Sequence, residues 1–247
     1  MKLKGVIECE HCSFFPLCAP ISICDNNYEP VKDALSRNRK VARGEKVCRQ
    51  NRSGRSIFTV CKGVFKGTIT DHQGEERVVG FYLPGSAIGL ELLESELSTV
   101  DVEALNSAVV CELSLARFNL LRSQFPTLQK ALMQLLMQEL KRYQDVVVTL
   151  LGSRSAEEGL ASFFLYTSSR MAEAGYSADY YDLPITYADI ASFLGLTRET
   201  VTRLMAKLKK QNIVAYRGRK LEIIDRQALA GLATAMTDAA EEKVVTL

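Results

Sequence analysis

Ala191, Gly195 and Val201 stand four and six residues apart in a stretch whose other residues keep a helical period. A small residue lets a second helix approach the first closely. A glycine can take the left-handed conformation of a tight turn, and a β-branched residue fills the space between two helices. Ile190, Leu194, Leu196 and Leu204 supply the remaining inward positions. The spacing predicts a helix-turn-helix; an ordinary helical hairpin is the plainer alternative. Thr186, with Asp189 three residues on, forms the pattern of a capping box at the start of the first helix.

The outward face of the second helix reads Thr197, Arg198, Glu199, Thr202 and Arg203. Arginine can bond guanine through two N–H groups, and glutamate can accept from the cytosine amino group, so this face suits base reading. Glu199 and Arg203, four residues apart, also fit a surface ion pair. Lys207, Lys209 and Lys210 follow, and 213–224 reads as a β-hairpin with Arg217, Gly218, Arg219 and Lys220 at its tip. A basic tip beside such a helix is placed to meet phosphates; taken alone it also fits a solvated turn. Residues 185–226 hold nine Lys/Arg against four Asp/Glu, about +5 in a chain of net charge +2, which leaves the rest near −3. A basic module on a slightly acidic body points to double-stranded DNA as the partner of that module.

The 247 residues, 47% apolar and 24% charged, suffice for a packed core without metals or disulfides. Between 43 and 115, glycines separate short β-prone runs at 56–60, 64–70, 77–83 and 108–113. That rhythm predicts a sandwich or jelly-roll barrel. After Pro126 the pattern turns helical to about Leu151. Met133, Leu136, Leu140, Tyr143, Val147 and Leu150 follow at steps of 3, 4, 3, 4 and 3, the period of a coiled-coil seam. A homodimer through this helix is expected; a helix packed only on its own domain is the alternative. Gly152 and Ser153 mark a break, 156–174 a second helix, and 176–184 a connector.

The first 30 residues are rich in cysteine and proline and show no clear period. Residues 1–10 hold no signal-peptide core, and no apolar run approaches the roughly 18–20 residues that span a bilayer. A cytoplasmic protein without a membrane partner is therefore expected. In that compartment seven cysteines are seldom structural disulfides. Metal binding, redox sensing or plain buried thiols are the readings left.

A barrel, a long helix and a winged helix-turn-helix, in that order, resemble the CRP/FNR family of bacterial regulators over nearly the whole chain. Cys9-Glu10-His11-Cys12-Ser13-Phe14-Phe15-Pro16-Leu17-Cys18 is a C-x2-C-x5-C run, and Cys111 follows far downstream in Val110-Cys111-Glu112. Both resemble the FNR branch, whose members sense oxygen with an iron–sulfur cluster. The resemblance implies an α+β chain. Residues 1–30 would bind the cluster, and 31–125 would form a double-stranded β-helix (a jelly-roll barrel like those that bind cyclic nucleotides). The dimerisation helix would be 126–152 and the winged helix-turn-helix domain 153–247. It implies Cys9, Cys12, Cys18 and Cys111 as ligands of a [4Fe–4S] cluster. It also implies an activator whose dimerisation, and binding to a near-palindromic operator, answer to oxygen, with RNA polymerase as a further partner. Four thiolates suit such a cluster and would also suit zinc. Cys48 and Cys61 are expected to be buried barrel thiols; Cys24 lies close enough in sequence to stand in as a ligand.

The chain departs from the family patterns at three places. Relatives that bind cyclic AMP pair an acid with an Arg-Ser or Arg-Thr step. Here the matching stretches are Gly89-Leu90-Glu91 and Leu97-Ser98-Thr99-Val100, with no arginine before Thr99, so a barrel without a nucleotide is expected. Thr202 replaces the serine of the FNR recognition helix, and Arg198 is similar to the cyclic-AMP branch. Tyr143 takes a seam position where FNR proteins can carry an acid that weakens the apo dimer, so oxygen control of dimerisation is expected to be muted. A same-fold regulator gated by a small ligand, thiol oxidation or zinc is the alternative function. An enzyme is disfavoured by two histidines in all, no glycine-rich phosphate loop, and a Cys9-x-x-Cys12 not set at a strand-to-helix junction.

Overall fold

The computed structural model of the protein describes residues 7–18, 35–152 and 155–233. The N-terminal piece forms a 3-10 turn at Cys9–His11 and one helical turn, α1 (Phe15–Cys18). The barrel strands are β1 (Leu35–Val41), β2 (Lys46–Cys48), β3 (Ser56–Lys62), β4 (Phe65–Thr70), β5 (Glu76–Tyr82), β6 (Ala87–Ile88), β7 (Asp101–Ala104) and β8 (Ala108–Ser114). Helices α2 (Leu115–Gln124), α3 (Pro126–Gly152) and α4 (Ala156–Glu173) come next. The C-terminal part adds β9 (Tyr180–Asp182), α5 (Tyr187–Leu194), α6 (Arg198–Lys210), β10 (Val214–Arg217), β11 (Lys220–Ile223) and α7 (Arg226–Ala233).

The barrel strands pair in two four-stranded sheets, β1-β8-β3-β6 and β2-β7-β4-β5, antiparallel throughout. Phe58, Val60, Ile88 and Val110 of the first sheet meet Cys48, Phe65, Val102 and Ala104 of the second in one apolar core. Side chains alternate along a strand, so Ile57, Thr59 and Cys61 face away from that core. They are buried all the same, because the outer face of the first sheet is covered too. Ile57 and Leu113 join an apolar cluster with Phe14, Leu17 and Cys18 of the N-terminal piece. Phe118 and Leu121 of α2, and Leu128, Ala131, Leu132 and Leu135 of α3, complete it. Burial of Phe14 or Leu17 contributes about 1.5–3 kcal/mol each relative to exposure, which holds the cysteine-bearing piece on the barrel.

The four β-prone runs all appear as strands, and α3 and α4 stand where the sequence placed helices. The structure corrects the reading in three places. The N-terminal piece, which shows no clear period in the sequence, nonetheless folds into short helical turns, with Phe14 and Leu17 buried on one side. The connector at 176–184 contains β9, which pairs with β11, because Tyr181 is buried and the edge of the hairpin is open to pairing. Helix α2 also forms, anchored by Phe118 and Leu121.

Contacts divide the chain into two compact units, Met1–Lys141 with Glu173–Gly175, and Arg142–Ala172 with Tyr176–Leu247. In the second unit Leu160, Phe163 and Phe164 of α4 are buried, as are Ile190, Phe193, Val201, Leu204 and Leu208 of the two short helices. The ring of Phe163 meets that of Phe193 at 5.7 Å. No helix among the described residues is long and apolar enough to cross a membrane.

Candidate nucleic-acid interface and thiol site

The capping box at the start of α5 is complete. Thr186 Oγ1 accepts from Asp189 N at 3.1 Å, and Thr186 N donates to Asp189 Oδ2 at 3.2 Å. Helix α5 ends at Gly195, whose φ of 66° is the left-handed turn that a Cβ would oppose. Ala191 and Val201 are buried where the helices cross. Thr197 is the cap of α6 rather than its first residue, and it accepts from Thr200 N at 3.2 Å.

Thr197 at the cap and Arg198, Glu199, Thr202 and Arg203 on the first turns of α6 are all exposed. Among the described residues Glu199 and Arg203 form no ion pair with each other, so both ends remain available to a ligand. The hydroxyl of Thr202 donates to the Arg198 carbonyl at 2.8 Å, inside the helix. Lys207 is partly committed as well: its Nζ lies 2.6 Å from Glu157 Oε2 on α4.

Next to α6 a three-stranded antiparallel sheet, β10-β11-β9, forms the wing. Arg217 pairs with Lys220 across a two-residue turn, Gly218-Arg219, and Arg217, Arg219 and Lys220 are exposed. The Lys220 ammonium rests 4.7 Å from the Tyr180 ring centroid, a contact that steadies a long side chain while leaving its charge outward. The wing is tied down by the Tyr216 hydroxyl, shared between the carbonyls of Leu183 and Ile185. Burial, then the neighbouring Tyr187 and Asp182, push that phenol up, so it stays a donor.

Helix α3 has two apolar faces. Leu128, Ala131, Leu132 and Leu135 are buried in the barrel-side cluster. On the other face Met133 is 53% exposed, Leu140 49%, Tyr143 56% and Val147 49%. Leu136 lies between, half-buried against the barrel cluster, and the Leu150 side chain is outside the described residues. Met137 and Val148 widen the exposed stripe. Met133, Leu140, Tyr143 and Val147 are therefore left largely exposed in the single chain, whereas Leu136 is partly spent on the barrel cluster.

The structure brings Cys12, Cys18 and Cys111 into one apolar cluster, Cys18 buried and the other two at its edge. Cys12 Sγ lies 3.6 Å from Thr59 Oγ1, and Thr59 is the direct cross-strand partner of Cys111. Cys9 sits one turn from Cys12 in the 3-10 turn; its side chain, like Cys24 as a whole, is outside the described residues. Among the described residues no three His, Cys, Asp or Glu crowd a single metal ion. A four-iron cluster takes one thiolate per iron, so its ligands stand around a centre rather than crowd one atom. Cys12, Cys18 and Cys111 come from two remote segments and share one apolar wall, and thiolates are the ligand type such a cluster takes.

Cys48 and Cys61 are both buried but not equivalent. Cys48 lies between the two sheets, where burial and then Glu91 push its thiol up to about 12. Cys61 lies on the outer face, its Sγ 3.3 Å from Cys111 Sγ. Hydrogen bonding to Cys111, then burial, push the Cys61 thiol up. Glu91 accepts from Ser98 Oγ at 2.9 Å, and the Leu92 side chain packs close to Gly54 and Gly89.

Sequence reasoning missed Ser13 and Glu139. Ser13 Oγ, in the loop between Cys12 and Cys18, donates to Glu139 Oε1 of α3 at 2.9 Å and also contacts the Gly85 carbonyl. Glu139 is 6% exposed. At Gly85 a Cβ would stand 2.9 Å from the His11 carbonyl, so the cysteine loop needs a residue without a side chain there. An acid on the buried side of an otherwise apolar helix face was the available signal.

Two protein-family descriptions match the chain: a Crp-like helix-turn-helix domain over residues 159–232 and a cyclic nucleotide-binding domain over residues 38–125. The chain is similar to the transcriptional activator protein anr of Pseudomonas aeruginosa, 32% identical over 226 residues and covering 92% of each. It is also similar to the fumarate and nitrate reduction regulatory protein of Yersinia pestis, 30% identical over 227 residues, or 92% of this chain and 90% of that one. Among solved structures it is similar to FixK2 from Bradyrhizobium japonicum, with a TM-score of 0.70 and 25% identity over 81% of this chain and 98% of that one.

Proposed function

Because the chain belongs to the CRP/FNR family of transcription regulators, we propose that it senses oxygen or redox state through a [4Fe–4S] cluster that governs dimerisation and operator binding. The family is one of transcription regulators, not enzymes. Cys9, Cys12, Cys18 and Cys111 would hold the cluster. The observation that carries this reading is the meeting of Cys12, Cys18 and Cys111 in one apolar cluster with α3. The relative from Yersinia pestis is named for the regulation of fumarate and nitrate reduction, a redox process.

When bound, a cluster would supply a redox-sensitive inorganic centre held by these thiolates. This chain's own residues link the cysteine loop to the helix. Cys12 and Cys18 bracket Ser13, Phe14 and Leu17, so the loop's fixed shape sets where Ser13 meets the buried Glu139 carboxylate. On its opposite face α3 presents Met133, Leu140, Tyr143 and Val147, together with Leu136 and Leu150 the seam for a second copy. A parallel dimer about that seam spaces two recognition helices by roughly 34 Å and demands a near-palindromic operator. Glu199 and Arg203, with Arg198, Thr197 and Thr202 around them, read bases, while Arg217, Arg219 and Lys220 meet phosphates. As an activator the dimer would then engage RNA polymerase.

Anaerobic purification with iron and acid-labile sulfide analysis tests the sensor. Iron and sulfide in equal amounts are expected, with visible absorption lost on Ser substitution at Cys9, Cys12, Cys18 or Cys111 and at no other cysteine. Zinc without sulfide, or a cluster that survives Cys18→Ser and is lost in Cys24→Ser, overturns the assignment.

A further inference from the structure

The cluster ligand set leaves Cys61 without a task, yet Cys61 is the residue whose sulfur touches Cys111. The cause lies in the backbone. Pairing between β3 and β8 runs Thr59 with Cys111, Val60 with Val110, then Lys62 with Val109, so Cys61 is the extra residue of a β-bulge. A bulge re-aims a side chain, and here it carries the Cys61 thiol across to the neighbouring strand. The carbonyl of Cys61 accepts from Ile7 N at 2.9 Å, so the segment leading into Cys9 and Cys12 is pinned at the same residue. From 3.3 Å the two sulfurs need to approach by only about 1 Å to reach disulfide length.

We propose that Cys61 is the resolving thiol of Cys111. In the metal-free protein hydrogen peroxide oxidises Cys111, and Cys61 then closes a reversible Cys61–Cys111 disulfide that withholds Cys111 from cluster assembly. Cys111 is the partly exposed member and Cys61 is 4% exposed, so a peroxide meets Cys111 first. Its sulfur attacks the peroxide, the O–O bond breaks, and Cys111 becomes a sulfenic acid with release of one water. The Cys61 sulfur then attacks the Cys111 sulfur. The S–S bond forms and the S–O bond breaks. Hydroxide leaves and takes the Cys61 proton as a second water. Two thiols and one peroxide thus give one disulfide and two waters. A thiol reductant reverses the change by exchange. The pairing stands on the geometry of the two strands; its effect on sensing rests on the proposed use of Cys111 as a ligand.

The test uses the full chain, stripped of metal, reduced, exposed to equimolar hydrogen peroxide and then alkylated, digested and mapped by mass spectrometry. The expected product is a cross-linked pair of peptides joining Cys61 to Cys111, with loss of alkylation at both positions and recovery of both after thiol treatment. In Cys61→Ser, Cys111 is expected to persist as a sulfenic acid trapped by a 1,3-dione. Full alkylation of Cys61 after peroxide, or a Cys111 joined instead to Cys9, Cys12 or Cys18, overturns the proposal in the wild-type chain, whatever the variant does. The iron-loaded protein separates the two readings. Protection of the pair while the visible absorption lasts supports Cys111 as a ligand. Cross-linking at an undiminished rate with the absorption intact overturns that ligand assignment and leaves the thiol pair standing.

Discussion

The helix-turn-helix and the thiol site are assembled in opposite ways. Everything that shapes α5 and α6 lies within a few residues of its partner: the Thr186–Asp189 box, the left-handed Gly195, and Val201 packed on the crossing. The thiol site draws Cys12, Cys61 and Cys111 from three separate segments, joined by a strand register and a docked N-terminal piece. A contiguous site keeps its shape as long as its own helices fold. An assembled site reports on the packing of every segment that builds it. The first property suits a reader of fixed sequences and the second suits a sensor.

Four substitutions break or sharpen this contrast, from the largest expected effect to the smallest. Leu140→Glu puts a carboxylate into the seam of both copies and is expected to abolish specific DNA binding, with sedimentation reporting a monomer whose cysteines still take up iron. A variant that stays dimeric and binds normally would remove α3 as the interface. Phe14→Ala is expected to cost about 3–5 kcal/mol in the first unit and to prevent cluster uptake, while the unfolding transition of the second unit stays in place. Equal damage to both units would show that the two regions are not independently built. Arg203→Ala is expected to lose roughly 1–3 kcal/mol at one base pair and to relax specificity there. Lys220→Ala should weaken all sequences alike and lower the salt slope by about one unit. Affinities for single-base operator variants at several salt concentrations distinguish these two. If Lys220→Ala changes base preference and Arg203→Ala does not, α6 is not seated in the major groove.

The same contrast explains what could be read in advance. The capping box, the Gly195 turn, the hairpin around Gly218 and the four strand runs follow from neighbours in sequence, and the structure contains them. Helix α2 carries apolar residues without a clean stripe, so only its contacts through Phe118 and Leu121 define it. Strand β9 exists because β11 offers an edge, not because three residues demand it. Cys48 and Cys61 look alike as barrel thiols. Alternation along β3 sets Cys61 apart from Phe58 and Val60, yet which face the N-terminal piece covers depends on Phe14 and Leu17 finding their cluster. The Ser13–Glu139 bond joins residues far apart in the chain, and no local pattern announces such a pair.

Helix α3 leaves Met133, Met137, Leu140, Tyr143, Val147 and Val148 exposed in the single chain. A contiguous apolar stripe without a cover invites chaperones and proteases. Were α3 a dimer seam as proposed, a protomer released from its partner would be a perishable species, cleared faster than the paired one. The dissociation constant of the seam would set the lifetime of the protein along with its occupancy of DNA. Pulse-chase decay at high and low expression reads this out: faster clearance at low expression is expected, and equal rates would mean that the uncovered helix is tolerated. If dimerisation answers to the sensor as proposed, little unpaired regulator would be held in reserve, and restoring the response would require new synthesis.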